Sequence, residues 1–151
     1  MIKTLDKKQI EKNLEKMYGI KLPRGQIIQQ SKEKLRIFTG DVSEKELNFL
    51  SSIVNVEVIG LYFAFQKEKD FRLSFDALFL AQDATKNILE LNEEQFKEWI
   101  SGQIIEINEK QKSSLNEDYV FLKYQDNIVG CGKLAQNRIL NFVPKERRIK
   151  Y

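Results

Sequence analysis

Residues 119–133 read YVFLKYQDNIVGCGK, and this stretch decides the fold. Two runs rich in aromatic and β-branched side chains meet at Asp126-Asn127, an arrangement typical of a tight β-hairpin. Gly130 and Gly132 recur at a spacing of two in the second run, where glycine lets a barrel strand bend or another backbone approach. The stretch therefore predicts two paired strands of a small barrel.

Segments on both sides of this hairpin complete a predicted C-terminal unit. Asn92 opens an amphipathic helix with Gln95 as its reciprocal capping residue, and Gly102 ends it. One strand, one helix and at least four further strands within about 65 residues are typical of a small closed or partly closed β-barrel with a flanking helix. The predicted segments are strands 86–91, 103–107, 119–125, 127–135 and 138–143, helix 92–100 and a polar loop 108–118.

The first half of the chain predicts a compact α/β layer. Ser43 and Glu46 form a capping box that opens a helix, and its apolar face is predicted to be Leu47, Leu50 and Ile53. The other predicted segments are helix 5–18, strands 26–30, 34–39, 54–65 and 71–75, and a short helix 76–84 capped by Asp76.

The composition fits a folded protein and excludes several kinds of chemistry. Of the 151 residues 42% are hydrophobic, which is enough to build a core. The absence of histidine excludes a Ser-His-Asp triad and a histidine-ligated metal, and the single cysteine, Cys131, excludes an intrachain disulfide. Neither a membrane-length apolar run nor a secretory signal is visible. We expect a cytoplasmic protein with no cofactor and no membrane partner.

Charge is unevenly distributed along the chain. Residues 1–40 carry ten Lys/Arg against four Asp/Glu, and residues 131–151 carry six against one. Residues 41–130 carry nine Lys/Arg against seventeen Asp/Glu. Basic ends around an acidic middle predict a polyanion-binding face if the ends meet in space, and the alternative is a charged surface that only keeps the protein soluble.

Few residues suggest catalysis. The sequence Gly-Cys-Gly-Lys at 130–133 lacks the Walker spacing and the following Ser/Thr, so we interpret its glycines as structural, with clearance for a ligand backbone as the alternative. Cys131 has no histidine base, which favours a small buried side chain over a catalytic thiolate. Glu93 and Glu94 offset a helix dipole, and Trp99 is interpreted as core rather than as a stacking platform.

The C-terminal tail is the region that most suggests a ligand. Six Lys/Arg fall between residues 133 and 150, interleaved with Asn141, Phe142 and Tyr151, which can hydrogen-bond to bases or stack on them. Arginine also suits phosphate through its bidentate guanidinium group. The alternative is a solvated tail that binds nothing.

The C-terminal half resembles a PUA domain, the RNA-binding module named for pseudouridine synthases and archaeosine transglycosylases. The resembling segments are EEQFKEWISG (93–102), QIIEI (103–107) and YVFLKYQDNIVGCGK (119–133). The resemblance implies an α+β protein with an N-terminal α/β, pre-PUA-like domain at 1–84. It further implies a C-terminal PUA-like small β-barrel with a flanking helix at 85–151.

Two longer resemblances refine this interpretation. Residues 60–91, and FRLSFDALFLA at 71–81 above all, resemble the ribosome-biogenesis factor family in which an α/β domain precedes a C-terminal PUA domain. DNIVGCGK (126–133) and NFVPKERRI (141–149) resemble the C-terminal module of Sun-family RNA cytosine-5 methyltransferases. The sequence lacks the methyltransferase domain of that family, which implies the RNA-binding module without the catalytic one.

These resemblances imply a non-catalytic protein that binds ribosomal or transfer RNA in processing, modification or ribosome biogenesis. The resemblance places seven residues on the RNA-binding face, and the charge pattern by itself selects most of them. They are Lys123, Lys133, Arg138, Asn141, Lys145, Arg147 and Arg148. One alternative is an adaptor or accessory subunit that docks an RNA methyltransferase or a ribosome-assembly protein through its acidic middle or an exposed strand edge. Another is an enzyme with Cys131 as nucleophile.

Overall fold

The computed structural model describes all 151 residues. Its elements, in chain order, are β1 (Lys3–Leu5), α1 (Lys7–Tyr18), β2 (Gln26–Gln29), β3 (Lys34–Phe38), α2 (Glu44–Ile53), β4 (Leu61–Lys67), β5 (Asp70–Leu73), a 3-10 helix (Phe75–Ala81), β6 (Ile88–Glu90), α3 (Glu93–Ile100), β7 (Ile105–Glu106), α4 (Glu109–Ser113), β8 (Tyr119–Tyr124), β9 (Asn127–Ala135), β10 (Arg138–Leu140) and a second 3-10 helix (Lys145–Arg147).

Two five-stranded sheets organise the chain. The N-terminal sheet has the order β1-β2-β3-β4-β5 and is antiparallel throughout. The C-terminal sheet has the order β6-β8-β9-β10-β7, in which only the β6–β8 pair is parallel. The expectation of a mixed α and β fold is confirmed, and the predicted hairpin forms the β8–β9 pair inside the second sheet. Its turn is Gln125-Asp126 rather than the predicted Asp126-Asn127, since Asn127 already pairs with Tyr124.

The inner face of the N-terminal sheet is buried. Ile27, Leu35 and Ala64 cluster on this face with Leu14 of α1 and with Phe121 of β8. Helix α1 lies on the sheet because its apolar positions recur at helical spacing and because Asp6 caps its first turn through Lys8 N and Gln9 N. The two sheets therefore share one apolar cluster.

The outer face of the same sheet is covered at β1, at β2 and at Phe38 of β3. Helix α2 and residues 54–60 pack there, where Leu47 and Ile59 cluster with Ile2 and Ile28. Further along this face, Lys34 is exposed and Tyr62 and Phe65 are partly exposed.

The free edge of β1 is closed by side chains of α2. The Asn48 side chain accepts from Ile2 N at 2.9 Å and donates to Ile2 O at 2.9 Å, and Glu44 accepts from Thr4 N at 2.7 Å. Since edge strands with free backbone groups are sites of unwanted pairing, this arrangement protects the sheet.

Trp99 fixes α3 on the C-terminal sheet. The Trp99 side chain is 1% exposed, and its indole Nε1 donates to Val129 O at 3.2 Å. Gly130 and Gly132 lie beneath the ring, where a Cβ on Gly130 would overlap the indole itself. The spacing of two puts both glycines on the face of β9 that Trp99 covers. The structural interpretation of these glycines and of Trp99 therefore agrees with the fold.

Buried polar contacts join the two sheets. The Tyr18 hydroxyl at the end of α1 donates to Tyr119 O at 2.8 Å. Asn87 is 8% exposed, and its amide donates to Met17 O and accepts from Asn116 N, each at 2.7 Å. Because a buried donor or acceptor is costly to leave unpaired, these bonds fix how the sheets are placed.

Several predicted boundaries were wrong. The strand predicted over 54–65 begins only at Leu61, because Gly60 adopts a positive φ of 72° and residues before it fold over α2 and β2. The predicted apolar face of α2 buries Leu47 alone, while Leu50 and Ile53 are exposed.

Other predicted elements also differ from the structure, and local capping explains two of these differences. The loop predicted at 108–118 contains α4, opened by an Asn108–Gln111 capping box. The helix predicted at 76–84 is a 3-10 helix capped by Ser74 rather than Asp76, since Ser74 Oγ accepts from Ala77 N. Strand β1 was missed altogether, and the strands predicted at 103–107 and 138–143 shorten to β7 and β10.

None of the four helices is both long enough and apolar enough to span a membrane.

We predict that Gly130→Ala destabilises the protein by about 1–3 kcal/mol, because the added methyl group has to displace the Trp99 ring. Urea unfolding of Gly130→Ala, Trp99→Leu and the double variant measures this cost. The cost of Gly130→Ala should fall in the Trp99→Leu background. An equal cost in both backgrounds would show that the ring is not the cause.

Candidate nucleic-acid interface

A seam joins the two sheets at the surface. It consists of Asp70, Arg72 and Asp76 from the N-terminal part and Lys133, Phe142 and Arg147 from the C-terminal part. Lys133 Nζ lies 3.3 Å from Asp70 Oδ2, and Arg147 Nη2 lies 3.4 Å from Asp76 Oδ1. The Arg72 guanidinium lies 3.9 Å from the Phe142 ring centroid. Two of the cations expected to bind RNA thus contact carboxylates across this seam.

These ion pairs are only partly shielded from water. The Asp70 hydrogen bond raises the pKa of Lys133, with a smaller contribution from Tyr119, so Lys133 stays charged at any physiological pH. Lys133 also lies 5.4 Å from the Tyr119 ring centroid. Exposed ion pairs of this kind contribute about 0–1 kcal/mol, so an incoming phosphate can replace the carboxylates at little cost.

Two of the predicted site residues hold the chain in place. Both amide hydrogens of Asn141 are donated within the protein, to Trp99 O at 2.7 Å and to Gln103 O at 2.8 Å. Its carbonyl oxygen accepts from Val143 N at 2.8 Å. Arg148 Nε donates to Val143 O at 3.1 Å. These side chains fix the path of the C-terminal segment.

The remaining predicted cations are not gathered at one point. Lys145 is exposed, and neither it nor Lys123 has a carboxylate within 4 Å. Arg138 Nε lies 3.9 Å from Glu106 Oε1 at an exposed position. Lys123 pairs opposite Ile128, whereas Lys133 pairs opposite Tyr119 at the other end of the β8–β9 ladder.

The sequence interpretation missed the contribution of the N-terminal sheet. Across three strands Lys34 pairs with Phe65 and Phe65 with Arg72, and in the next row Arg36 pairs with Tyr62. One signal was available, because the alternation in FRLSF places Arg72 opposite the buried side of its strand. The sequence carries no signal that Tyr62 and Phe65 lie on one face of the sheet, because only a β-bulge places them there.

The cations around Tyr62 affect its pKa. Partial burial raises the pKa of Tyr62, and the positive charges of Arg72 and Arg36 oppose that rise. Lys34 Nζ lies 5.7 Å from the Tyr62 ring centroid. This face of the sheet therefore combines aromatic rings with positive charge.

The structure argues against chemistry at Cys131. The thiol is 6% exposed and packs in the cluster shared by the two sheets. Burial raises the pKa of Cys131 to about 12, which the nearby Arg72 only partly opposes. The surrounding G-x-G-K residues lie inside strand β9 and form no loop at a helix start.

The acidic residues of α3 also have a structural explanation. Glu93 lies in the first turn and pairs with Lys97 at 2.9 Å, one helical turn away. No group of three or more Cys, Asp or Glu side chains is arranged to hold a metal ion.

A cleft of about 480 Å³ is lined by residues other than those of the seam. It runs between α1 and the β4–β5 turn, where Met17 and Phe71 line it together with Lys16, Lys69 and Glu117. Charges of both signs alternate around this cleft, so it does not present the single-sign surface that a polyanion requires.

Part of the chain is similar to known proteins. Residues 86–149 match the family model of the PUA domain of the methyltransferase RsmF. Ribosomal RNA small subunit methyltransferase F of Photobacterium profundum is 26% identical over 142 residues, which cover 93% of this chain and 28% of the relative. The protein of the same name from Vibrio parahaemolyticus is 40% identical over 70 residues, or 44% of this chain and 14% of the relative.

The resemblance of the C-terminal half to the PUA module of Sun-family RNA methyltransferases is thereby confirmed. The chain spans less than a third of the length of the curated relatives it matches. The match to the Photobacterium profundum protein covers 93% of this chain, so it includes most of the N-terminal sheet as well.

We predict that Cys131 is inert towards a thiol-specific probe at pH 8 in the native protein, because its raised pKa and burial keep it protonated and inaccessible. The same probe should label it stoichiometrically in concentrated guanidinium chloride. Labelling of the folded protein at the rate of a free thiol would contradict the assignment.

Proposed function

We propose that this chain is a non-catalytic RNA-binding module that acts in the modification of ribosomal RNA. The observation that carries the proposal is the match of residues 86–149 to a PUA domain of an RNA methyltransferase. The relatives named as small-subunit ribosomal RNA methyltransferases favour ribosomal over transfer RNA. Binding requires no cofactor, and we place it in the cytoplasm, where ribosomal RNA is modified.

The RNA face would consist of two kinds of cation. Lys123 and Lys145 have no carboxylate partner and would contact phosphate directly. Lys133, Arg138 and Arg147 would exchange an exposed carboxylate for phosphate. Such contacts give affinity and orientation without reading sequence.

Asn141 and Arg148 would support this face rather than contact RNA. Their hydrogen bonds hold the segment that carries Phe142, Lys145 and Arg147. We further propose that the N-terminal sheet is a pre-PUA domain spanning residues 1–84 that orients the PUA domain of 85–151. The buried Tyr18 and Asn87 contacts between the sheets support this arrangement.

An exposed apolar patch favours a second candidate function, docking to an RNA methyltransferase. We define the α2 patch by its five members, Phe49, Leu50, Ile53, Val54 and Val58. Phe49 is 68% exposed and Ile53 63% exposed. Clustered apolar side chains at a surface mark interaction sites. We propose an RNA methyltransferase as the partner because the relatives that this chain matches are named as such enzymes and extend well beyond the matched region.

Neutralising Lys123 and Lys145 together (Lys123→Gln, Lys145→Gln) should weaken binding to small-subunit ribosomal RNA fragments. If each cation contacts one phosphate, the slope of log K against log salt should fall by about 1.4 for single-stranded sites. Fluorescence anisotropy across a salt series, with transfer RNA as the competing class, measures both slope and preference. Lys8→Gln with Lys45→Gln is the charge-matched control. No binding of wild type at low salt would reject RNA binding.

For the docking candidate, affinity purification after nuclease treatment should recover an RNA methyltransferase in stoichiometric amount, identified by mass spectrometry. Phe49→Ser with Ile53→Ser should abolish recovery by placing hydroxyl groups in the apolar interface. Phe79→Ser with Ile104→Ser removes two exposed apolar side chains elsewhere and should leave recovery unchanged. Recovery that survives the first pair would exclude the α2 patch.

A further inference from the structure

We propose that the uncovered outer face of the N-terminal sheet is a second RNA-contacting surface that binds unpaired nucleotides. We call it the outer strip and define it by five residues, Lys34, Arg36, Tyr62, Phe65 and Arg72. The inference rests on the proposed RNA-binding function and extends it beyond the PUA domain.

Strand register brings these residues together. Lys34, Phe65 and Arg72 form one row across β3, β4 and β5, and Arg36 with Tyr62 begins the next row. Ordinary alternation would put Tyr62 and Phe65 on opposite faces of β4. The pairing skips Phe63, and this β-bulge turns both rings outward.

The burial of Phe63, the residue at the bulge, shows which side chains of β4 face inward. Phe63 and Ala64 are adjacent in sequence, yet both are fully buried in the inner cluster. Phe63 lies against Phe71 with ring centroids 6.0 Å apart. Because these two consecutive side chains face inward, Tyr62 and Phe65 both lie on the outer face of the sheet.

The cations of the outer strip are free of carboxylates. The ion pairs of this sheet join Lys67 to Glu33 at 3.5 Å and Asp70 to Lys133 at 3.3 Å. Lys34, Arg36 and Arg72 have no carboxylate oxygen within 4 Å. Three uncompensated positive charges on one sheet face attract a polyanion.

Aromatic rings alternate with these charges. Lys34 Nζ lies 5.7 Å from the Tyr62 centroid, and the Arg72 guanidinium lies 5.6 Å from the Phe65 centroid. Both rings are half-buried, so part of each side chain remains exposed to solvent. Rings and guanidinium planes stack on unpaired bases, while neighbouring cations hold the phosphates.

The outer strip is continuous with the PUA domain. Arg72 lies on Phe142 at 3.9 Å, and Phe142 lies 6.2 Å from Tyr119, centroid to centroid. Lys133 lies over Tyr119 at 5.4 Å. A strand of RNA that leaves the PUA face at Lys133 therefore meets Arg72 next, and the N-terminal sheet would extend the site.

The test uses a fluorescent single-stranded oligonucleotide, a twelve-nucleotide uridine-rich RNA, with full-length protein. Lys34→Gln with Arg36→Gln should reduce affinity about tenfold and lower the salt slope by about 1.4. Tyr62→Leu keeps apolar volume but removes the flat ring, and a stacked base should then cost roughly 5- to 100-fold in affinity. Circular dichroism melting confirms that each variant folds.

A charge-matched control separates the outer strip from general charge. Lys8→Gln with Lys12→Gln removes two positive charges from exposed positions on α1, and this variant should bind almost as wild type. An equal loss in the α1 control would reduce the effect to net charge and overturn the proposal.

Since Arg36 Nη1 also donates to Gly60 O at 3.1 Å, Lys34→Gln alone provides a variant without any lost internal bond. Ultraviolet cross-linking to a thiouridine-substituted oligonucleotide should label the peptide that contains β4. Loss of binding in Lys123→Gln with Lys145→Gln, together with wild-type binding in all outer-strip variants, would leave the proposed function standing and reject this surface. No RNA binding by wild type would reject both.

Discussion

The contact between Trp99 and the two glycines of β9 is the constraint on which the proposed RNA-binding surface depends. Because Gly130 and Gly132 have no side chains, the indole lies directly on the strand and donates to Val129 O. The backbone carbonyl of Trp99 then accepts from Asn141, and this bond directs the C-terminal segment back across the sheet. Without the close approach of α3, that carbonyl would not reach Asn141. A single packing contact therefore positions the segment that carries the tail cations.

The contacts between the two sheets are of two kinds, buried hydrogen bonds and exposed ion pairs, and they contribute differently to stability. The buried contacts, in which Tyr18 donates to Tyr119 O and Asn87 bonds to Met17 O, hold the sheets together without involving charge. The seam above them consists of exposed ion pairs, which contribute little to stability in water. A polyanion can therefore take over the cations of the seam while the apolar cluster and the buried bonds keep the architecture unchanged.

The sequence alone predicts those features of the fold that depend on a single local rule. Capping rules predict the boxes at Ser43 and Asn92, and periodicity predicts the core position of Trp99. The strand pattern predicts the β8–β9 hairpin, although its turn falls one residue earlier than expected. The candidate site was less accessible, because charge along the chain does not show which cations find carboxylates after folding. Lys133 meets Asp70 across 63 residues of sequence, and Asn141 turns inward to Trp99. Tertiary contacts of this length leave no periodic signal.

The β-bulge at Phe63 shows the same limit in a more specific form. Strict alternation along β4 would separate Tyr62 from Phe65, and no residue type in LYFAFQK identifies the irregular position. The structure explains the bulge by burial, since Phe63 and Ala64 both fill the inner cluster. Because Phe63 and Ala64 both pack inward, the rings of Tyr62 and Phe65 face outward beside Lys34, Arg36 and Arg72. The bulge in β4, which the packing of the inner cluster explains, thus places two aromatic rings beside the cations of the outer face. Arg72, on the same face, contacts Phe142 of the C-terminal segment.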